Sequence, residues 1–313
     1  MRASRGGAQI GMILTVCLNP TFQRTLVFDH FKVGEVNRAT ANYLDASGKG
    51  VNVCRILSQL GDKAVLISHL GGSRIDEMLS LCRKDGLQVA YECSQSEIRT
   101  CTTIISPEGT TELVEEAKEV AKGTEEGIRK LFNAHIGACE ALIICGTRAP
   151  GYSTNLYADF VREAKEQGKF VLLDLKGDDL RLCIEQKPDV IKPNLSEFVQ
   201  TFLHKKIDEQ EDSEPLQKEI MQALSRLYRL YETSTILSRG KDPLWYFDMS
   251  FKSCGIQKVK AVNTIGCGDA LGAAFVHYLL QGKTFEEALR EAVSIATRNA
   301  MTIHPGSIMP EDK

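Results

Sequence analysis

At 313 residues, with 43% hydrophobic and 25% charged side chains, the chain has the composition of an ordinary globular protein, long enough to bury a full core. A formal net charge of −3 leaves no excess of cations for a nucleic-acid backbone or an anionic membrane surface, so neither is an expected partner. The longest apolar run, 270–280, is interrupted by Gly272 and His277 and falls far short of the ~20 residues of a bilayer span.

Residues 1–11 are basic and Gly-rich and lack the apolar core and cleavage site of a signal peptide; they read as a flexible extension, with Met12 an alternative start. The folded domain then runs over 12–313. Ten scattered cysteines form no CxxC pair or other zinc spacing and read as reduced thiols of a cytoplasmic protein. From residue 13 onward, short β-rich runs alternate with helical patterns. Strands are predicted at 13–17, 64–68, 141–145, 170–174, 190–192, 235–238 and 245–248. Helices are predicted at 51–60, 74–85 and 153–167, each closed by a glycine at the C′ position (Gly61, Gly86, Gly168), and again at 216–231 and 285–301. This is the alternation of a mostly parallel sheet covered on both faces by helices. Two segments, 24–46 and 87–113, carry Thr, Val, Ile, Phe and Tyr with no helical period and read as a small inserted β-sheet. The charged stretch 209–219 reads as a solvated loop leading into a helix.

Three motifs could carry chemistry. In Val262-Asn263-Thr264-Ile265-Gly266-Cys267-Gly268-Asp269-Ala270 a Gly-rich turn runs into an apolar helix, so backbone N–H groups and the positive end of the helix dipole converge where an anion can sit, with Asp269 beside it. The same pattern also serves as a plain strand-to-helix connection with Asp269 as a cap. Ser47-Gly48-Lys49-Gly50-Val51-Asn52 again places glycines and a cation at a helix start, suited to a phosphate or to sugar hydroxyls, or else a flexible loop with an exposed lysine. Lys192-Pro193-Asn194-Leu195-Ser196-Glu197 follows a strand; Asn with Glu three residues on is first of all a capping box, and its carboxylate could also order the water shell of Mg²⁺. The chain contains no Walker-type Gly-x-x-x-x-Gly-Lys-Ser/Thr loop, no Gly-x-Gly-x-x-Gly and no His-Glu-x-x-His.

In this order and at these separations the three motifs resemble the PfkB (ribokinase-like) carbohydrate kinases, over nearly the whole chain. Leu18-Asn19-Pro20, Gly34-Glu35-Val36-Asn37-Arg38, Thr111-Glu112 and Ile191-Lys192-Pro193-Asn194 look like the branch of 1-phosphofructokinases and tagatose-6-phosphate kinases. The resemblance implies a three-layer α/β/α fold with a small β lid formed by 24–46 and 87–113, often also a homodimer contact. It implies an ATP- and Mg²⁺-dependent transfer of a phosphoryl group to a sugar hydroxyl, with Asp269 as the base and the backbone of Gly266, Cys267 and Gly268 as the anion hole. Gln23, Gly48, Lys49, Gly50 and Asn52 then hold the sugar and Arg99 its existing phosphate. Asn194, Ser238, Gly240 and Thr264 lie along ATP, Asn299 walls the adenine, and Glu197 orders the metal.

The chain departs from the family's pattern at Gln23, where a carboxylate usually grips two hydroxyls and an amide can accept with only one oxygen. Cys101, Val114, Ser47 and Cys267 are further departures. The expected activity is phosphorylation of a phosphorylated ketohexose, fructose 1-phosphate or tagatose 6-phosphate, with Gln23 shaping sugar choice. A kinase for an unphosphorylated sugar or nucleoside, and a weakly catalytic sugar-phosphate sensor, are the alternatives.

Overall fold

The computed structural model describes residues 11–207 and 213–308. The N-terminal extension apart from Gly11, residues 208–212, which include the start of the charged stretch, and residues 309–313 of the predicted domain lie outside them. The strand-and-helix alternation becomes β1 (Met12–Cys17), β2 (Thr21–Val27), β3 (Ala41–Ser47), α1 (Lys49–Gln59), β4 (Ala64–Leu70), α2 (Ile75–Lys84), β5 (Gln88–Cys93), β6 (Arg99–Ser106) and β7 (Gly109–Leu113). Next come α3 (Thr124–Ile136), β8 (Cys139–Cys145), α4 (Leu156–Glu166), β9 (Phe170–Asp174), α5 (Gly177–Ile184), β10 (Val190–Ile191) and α6 (Leu195–Leu203). The chain closes with α7 (Glu214–Tyr231), β11 (Ser234–Arg239), β12 (Asp242–Asp248), β13 (Ser250–Cys254), α8 (Cys267–Leu280) and α9 (Phe285–Ala300).

Nine strands form one sheet in the order β13-β12-β11-β10-β9-β8-β1-β4-β5, parallel except for β12 and β13 at one edge. Successive side chains of a strand point to opposite faces, and here both faces are apolar. Ile13, Ala141, Ile143 and Leu172 join one core with Val53, Ile56 and Leu57 of α1, Phe275 of α8 and Leu289 of α9. Their neighbours Leu14, Val16, Leu142, Ile144, Val171 and Leu173 join a second core with Phe132 of α3, Phe160 of α4, Leu180 of α5, Phe198 of α6 and Ile220 of α7. The period-2 split of each strand between two helical layers is the three-layer α/β/α architecture.

A second sheet, β3-β2-β6-β7, stands apart. It is smaller than the segment 87–113 suggested. Gln88–Cys93 pairs in parallel with β4 and completes the edge of the large sheet, and the small sheet takes only β6 and β7 from that segment. A Thr-, Val- and Tyr-containing run looks alike in either sheet, because strand propensity reports a pleated surface and not its partner. Phe22 and Ala46 root the small sheet in a third apolar cluster with Val51 of α1 and Met78 of α2.

Local chemistry sets the helix ends. Gly61, Gly86 and Gly168, the predicted C′ glycines, all have positive φ. In α6, Asn194 Oδ1 accepts the Glu197 N–H at 2.7 Å and Glu197 Oε2 accepts the Asn194 N–H at 3.1 Å, so the capping box is formed. Residues 213–219 of the charged stretch are mostly the first turn of α7, with Pro215 at its start. Helix α8 is apolar on all sides, and its residues from Asp269 to His277 are buried between α1, α9 and the sheet. No helix among the described residues is long and apolar enough to cross a membrane.

Candidate active site

The motif residues gather at the carboxyl ends of the parallel strands, the edge at which open α/β sheets bind ligands. Gly48 caps α1 just beyond β3, opposite the end of β1. Asp174 ends β9, Lys192 follows β10, and Asn194 bridges to Ser238 at the end of β11. The Gly266–Asp269 turn closes over them as the first turn of α8.

Asp269 is 5% exposed. Its Oδ2 accepts a 2.8 Å hydrogen bond from Asn52 Nδ2, so the motif at 47–52 and the Gly-rich turn, over two hundred residues apart in the chain, meet at this carboxylate. Burial pushes the Asp269 carboxyl up to about 6. The Lys49 ammonium works against the shift, as does the Asn52 hydrogen bond, while the Asp174 carboxylate adds to it. A carboxylate so placed is ionised at neutral pH and basic enough to take a hydroxyl proton.

The turn that presents it is tightly seated. Gly266 caps α8 with φ +85°, and a Cβ there would lie 2.5 Å from the Gly306 nitrogen. Gly306 has φ +64°, and a Cβ there would meet Asn52 Cβ at 2.6 Å. The backbone at 266, the backbone at 306 and Asn52 are therefore stacked in direct contact, with no room for a side chain at either glycine. The N–H groups of the first turn of α8 have no intrahelical acceptors by helix geometry, which is what an anion requires. Burial raises the Cys267 thiol to about 11, against the pull of the Asn299 hydrogen bond, so Cys267 stays a neutral thiol, and its backbone N–H donates to the Thr264 carbonyl at 3.3 Å.

Beneath this turn lies a charge array that sequence reasoning missed. Asp174, 4% exposed, accepts from Lys49 Nζ at 3.0 Å through Oδ1 and pairs with Lys192 Nζ at 2.9 Å through Oδ2. Burial opposes ionisation of Asp174, but the two ammonium groups outweigh it and hold the carboxyl at about 2. Burial would likewise lower Lys49, yet Asp174, Glu197 and Asp269 together keep it well above its ordinary value. The Lys192 stem runs under α8, since a Cβ on Gly268 would lie 3.4 Å from Lys192 Nζ and one on Gly272 3.2 Å from Cε. Two lysines share the Asp174 carboxylate, and the charge left over faces the Asp269 carboxylate at the Gly-rich turn. The sequence did carry a signal for it: a lone Asp at the end of the apolar strand 170–174 and a Lys at the end of 190–192.

The other predicted residues are placed less uniformly. Gly48, Lys49, Gly50 and Asn52 form the first turn of α1, and Gly50 packs on β1, where a Cβ would meet Cys17 Cβ at 2.6 Å. Asn194, Ser238 and Gly240 adjoin at the ends of β10 and β11, with exposed Thr264 on the Gly-rich turn. Glu197 spends Oε2 on its own helix cap and keeps Oε1 3.8 Å from Lys176 Nζ. Arg99 begins β6 and donates from Nη1 to the Glu115 carbonyl at 2.8 Å, while its buried Nε has no partner.

Two placements differ from expectation. Asn299 is fully buried and offers no wall to a nucleotide; its Nδ2 instead holds the Gly-rich turn through the Ile265 carbonyl (3.0 Å) and Cys267 Sγ (3.3 Å). Gln23 is 2% exposed on β2, and its Nε2 donates to Thr103 Oγ1 at 2.7 Å within the small sheet.

Among known proteins, the model of the pfkB family carbohydrate kinases matches residues 20–310. A tagatose-6-phosphate kinase from Staphylococcus epidermidis strain RP62A is 30% identical over 303 residues, covering 95% of this chain and 94% of that one. Phosphofructokinase-2 from Escherichia coli, solved in complex with potassium, superposes with a TM-score of 0.81 at 19% identity, over 93% of each chain. A possible 1-phosphofructokinase from Thermotoga maritima superposes with a TM-score of 0.80 at 20% identity, over 94% of this chain and 93% of that one.

Proposed function

The chain belongs to the pfkB family of carbohydrate kinases, and from that footing we propose that it transfers the γ-phosphoryl group of ATP to a hydroxyl of a phosphorylated ketohexose, with fructose 1-phosphate and tagatose 6-phosphate the first candidates. The observation that carries this reading is the buried Asp269, raised to about 6 and seated at the N-terminus of α8 over the Lys49–Asp174–Lys192 array. A carboxylate in that place has the basicity to take the proton of an attacking hydroxyl, and the turn beside it has the N–H groups and nearby cations to steady the charge of a phosphoryl group in transfer. The tagatose-6-phosphate kinase relative supports a sugar phosphate as acceptor. Arg99, at the start of β6, is the side chain that would grip the acceptor's existing phosphate.

The donor set suits Mg²⁺ held mainly by water and substrate phosphates. No cluster of three or more His, Cys, Asp or Glu able to hold a metal occurs among the described residues, and Glu197 presents a single carboxylate beside the strand ends. When bound, the ion would neutralise charge across the donor's phosphates; Glu197 and Asn194 are the residues to order its water. A coupled ADP-release screen over ketohexose phosphates, free sugars and nucleosides, with Asp269→Asn as control, tests the reading. Turnover confined to free sugars or nucleosides refutes the acceptor class. A D269N enzyme as fast as wild type removes Asp269 from the mechanism.

A further inference from the structure

Arg55 lies on α1, one turn beyond Asn52, and is only 3% exposed. No catalytic motif includes it, and it does not touch Asp269. Yet its guanidinium reaches four groups. Nη1 donates to Asn52 Oδ1 at 3.1 Å and to the Pro305 carbonyl at 2.8 Å, Nη2 to the Ala46 carbonyl, and Nε to Asp85 Oδ2 at 2.8 Å.

The donor and acceptor inventory turns this contact into a constraint. A guanidinium can only donate and a carboxylate can only accept, so an amide lying between them must turn its oxygen to the first and its nitrogen to the second. Asn52 lies between Arg55 and Asp269 in this way, with Ser47 Oγ as a second donor to its oxygen at 3.1 Å. With neither donor present, the amide could flip and set its oxygen against the Asp269 carboxylate, a repulsive contact. The carbonyls that Arg55 also holds are themselves consequential. Ala46 is at the root of the small sheet, and Pro305 precedes the glycine wedged between Asn52 and the Gly266 turn.

Building on the kinase reading above, we propose that Arg55 is a positioning residue for phosphoryl transfer: it locks the Asn52 amide in the orientation that donates to Asp269, and ties that amide to the root of the small sheet and to the 305–306 turn. Asp269 is otherwise faced by Lys49 from α1, Asp174 from β9, Lys192 after β10 and the thiols of Cys145 and Cys267. None of these contacts Arg55, so altering Arg55 acts on the base through Asn52.

The rival account makes Arg55 a structural counter-ion for Asp85, which is about a quarter exposed. Three variants separate the two. Arg55→Lys keeps the charge, but a single ammonium cannot span Asn52, Pro305 and Ala46. The expected result is a kcat lower by on the order of tenfold or more with KM for ATP within about twofold, and an acidic limb of the pH–rate profile displaced to higher pH. Ser47→Ala should displace the limb in the same direction by less. Asp85→Asn, which breaks only the ion pair, should leave both kcat and the limb in place.

A ¹³C-carboxyl titration of the full-length protein, with Asp269 assigned by its loss in D269N, reads the base without any substrate. It should show Asp269 titrating at higher pH in R55K and unchanged in D85N. If R55K folds poorly, R55M/D85N removes the pair without stranding a buried charge, and the same titration decides. An Asp269 titration unmoved by loss of Arg55, or an equal effect from D85N, overturns the proposal. A wild-type protein inactive on every acceptor overturns the kinase reading instead, and the titration still judges Arg55.

Discussion

Asp269→Asn should make the protein more stable while making it inactive. The carboxyl of Asp269 titrates at 3.8 in an unfolded chain and at about 6 in the fold, chiefly because burial disfavours its charge. A carboxyl raised in this way binds its proton more tightly when folded, so the wild type loses stability as pH rises from about 4 to about 6 and carries the full penalty above that. At about 1.36 kcal/mol per pKa unit, the displacement amounts to roughly 3 kcal/mol. The amide of D269N carries no charge and escapes it, while its oxygen can still accept from Asn52 Nδ2. By the usual entropy per residue a chain of this length converts ~3 kcal/mol into a melting-temperature gain of about 5 °C. Thermal denaturation of both proteins from pH 4 to 8 checks this: the D269N gain should be largest above pH 6.5 and shrink toward zero near pH 4. In parallel, turnover should fall by about 10²–10⁴. A variant less stable than wild type at pH 7.5, or a gain independent of pH, would refute the claim that Asp269 is held ionised against its burial.

In the wild type, kcat/KM should fall about tenfold per pH unit below roughly pH 6, as the base takes up its proton; a flat profile down to pH 5 would contradict that. Asp174→Asn leaves the buried Lys192 ammonium without its counter-charge, and Lys49, whose side chain is partly exposed, without its partner; the buried pair sets an expected cost of about 3–5 kcal/mol in denaturant unfolding, with the acidic limb displaced downward because Asp174 no longer raises Asp269. Gly306→Ala would drive a methyl into Asn52 and should lower kcat by tenfold or more while ATP binding, followed by calorimetry, stays within a few-fold. Gln23→Asp puts a carboxylate in place of a buried amide that donates to Thr103, so a loss of about 1–3 kcal/mol in stability is expected, with no gain above about twofold in kcat/KM on any ketohexose phosphate. A clear gain there would restore Gln23 to the sugar-facing role that its sequence position suggests.

The large sheet was legible because both its faces are buried, so 13–17, 141–145 and 170–174 stand out as apolar runs whatever their partners. Helices α3 and α5 were not, since a short amphipathic helix with an ordinary mixture of charges leaves no mark beyond propensity. The assignment of 88–93 to the small sheet failed for a related reason. What decides which sheet a strand joins is the pairing of β4 with β5, a contact between segments, and no local pattern records it.

The site divides along the same line. Glycines announce themselves, because Gly48, Gly266 and Gly306 each occupy a place where a Cβ would touch backbone or a buried side chain, and two of the three stood out in the sequence as candidate ligand turns before the resemblance gave them roles. Charges that act by proximity do not. Asp174 and Lys192 sit at the ends of separate strands, and only the parallel order β9-β10 sets their side chains 2.9 Å apart. Asn299, which the resemblance placed beside the adenine, is turned inward by helix α9 and holds the turn that carries Asp269. The residues most easily missed from sequence are therefore those whose partner is another protein group and not a ligand. Arg55 is of that kind, because every bond it makes stays within the chain and its effect on the reaction would pass through the orientation of one amide.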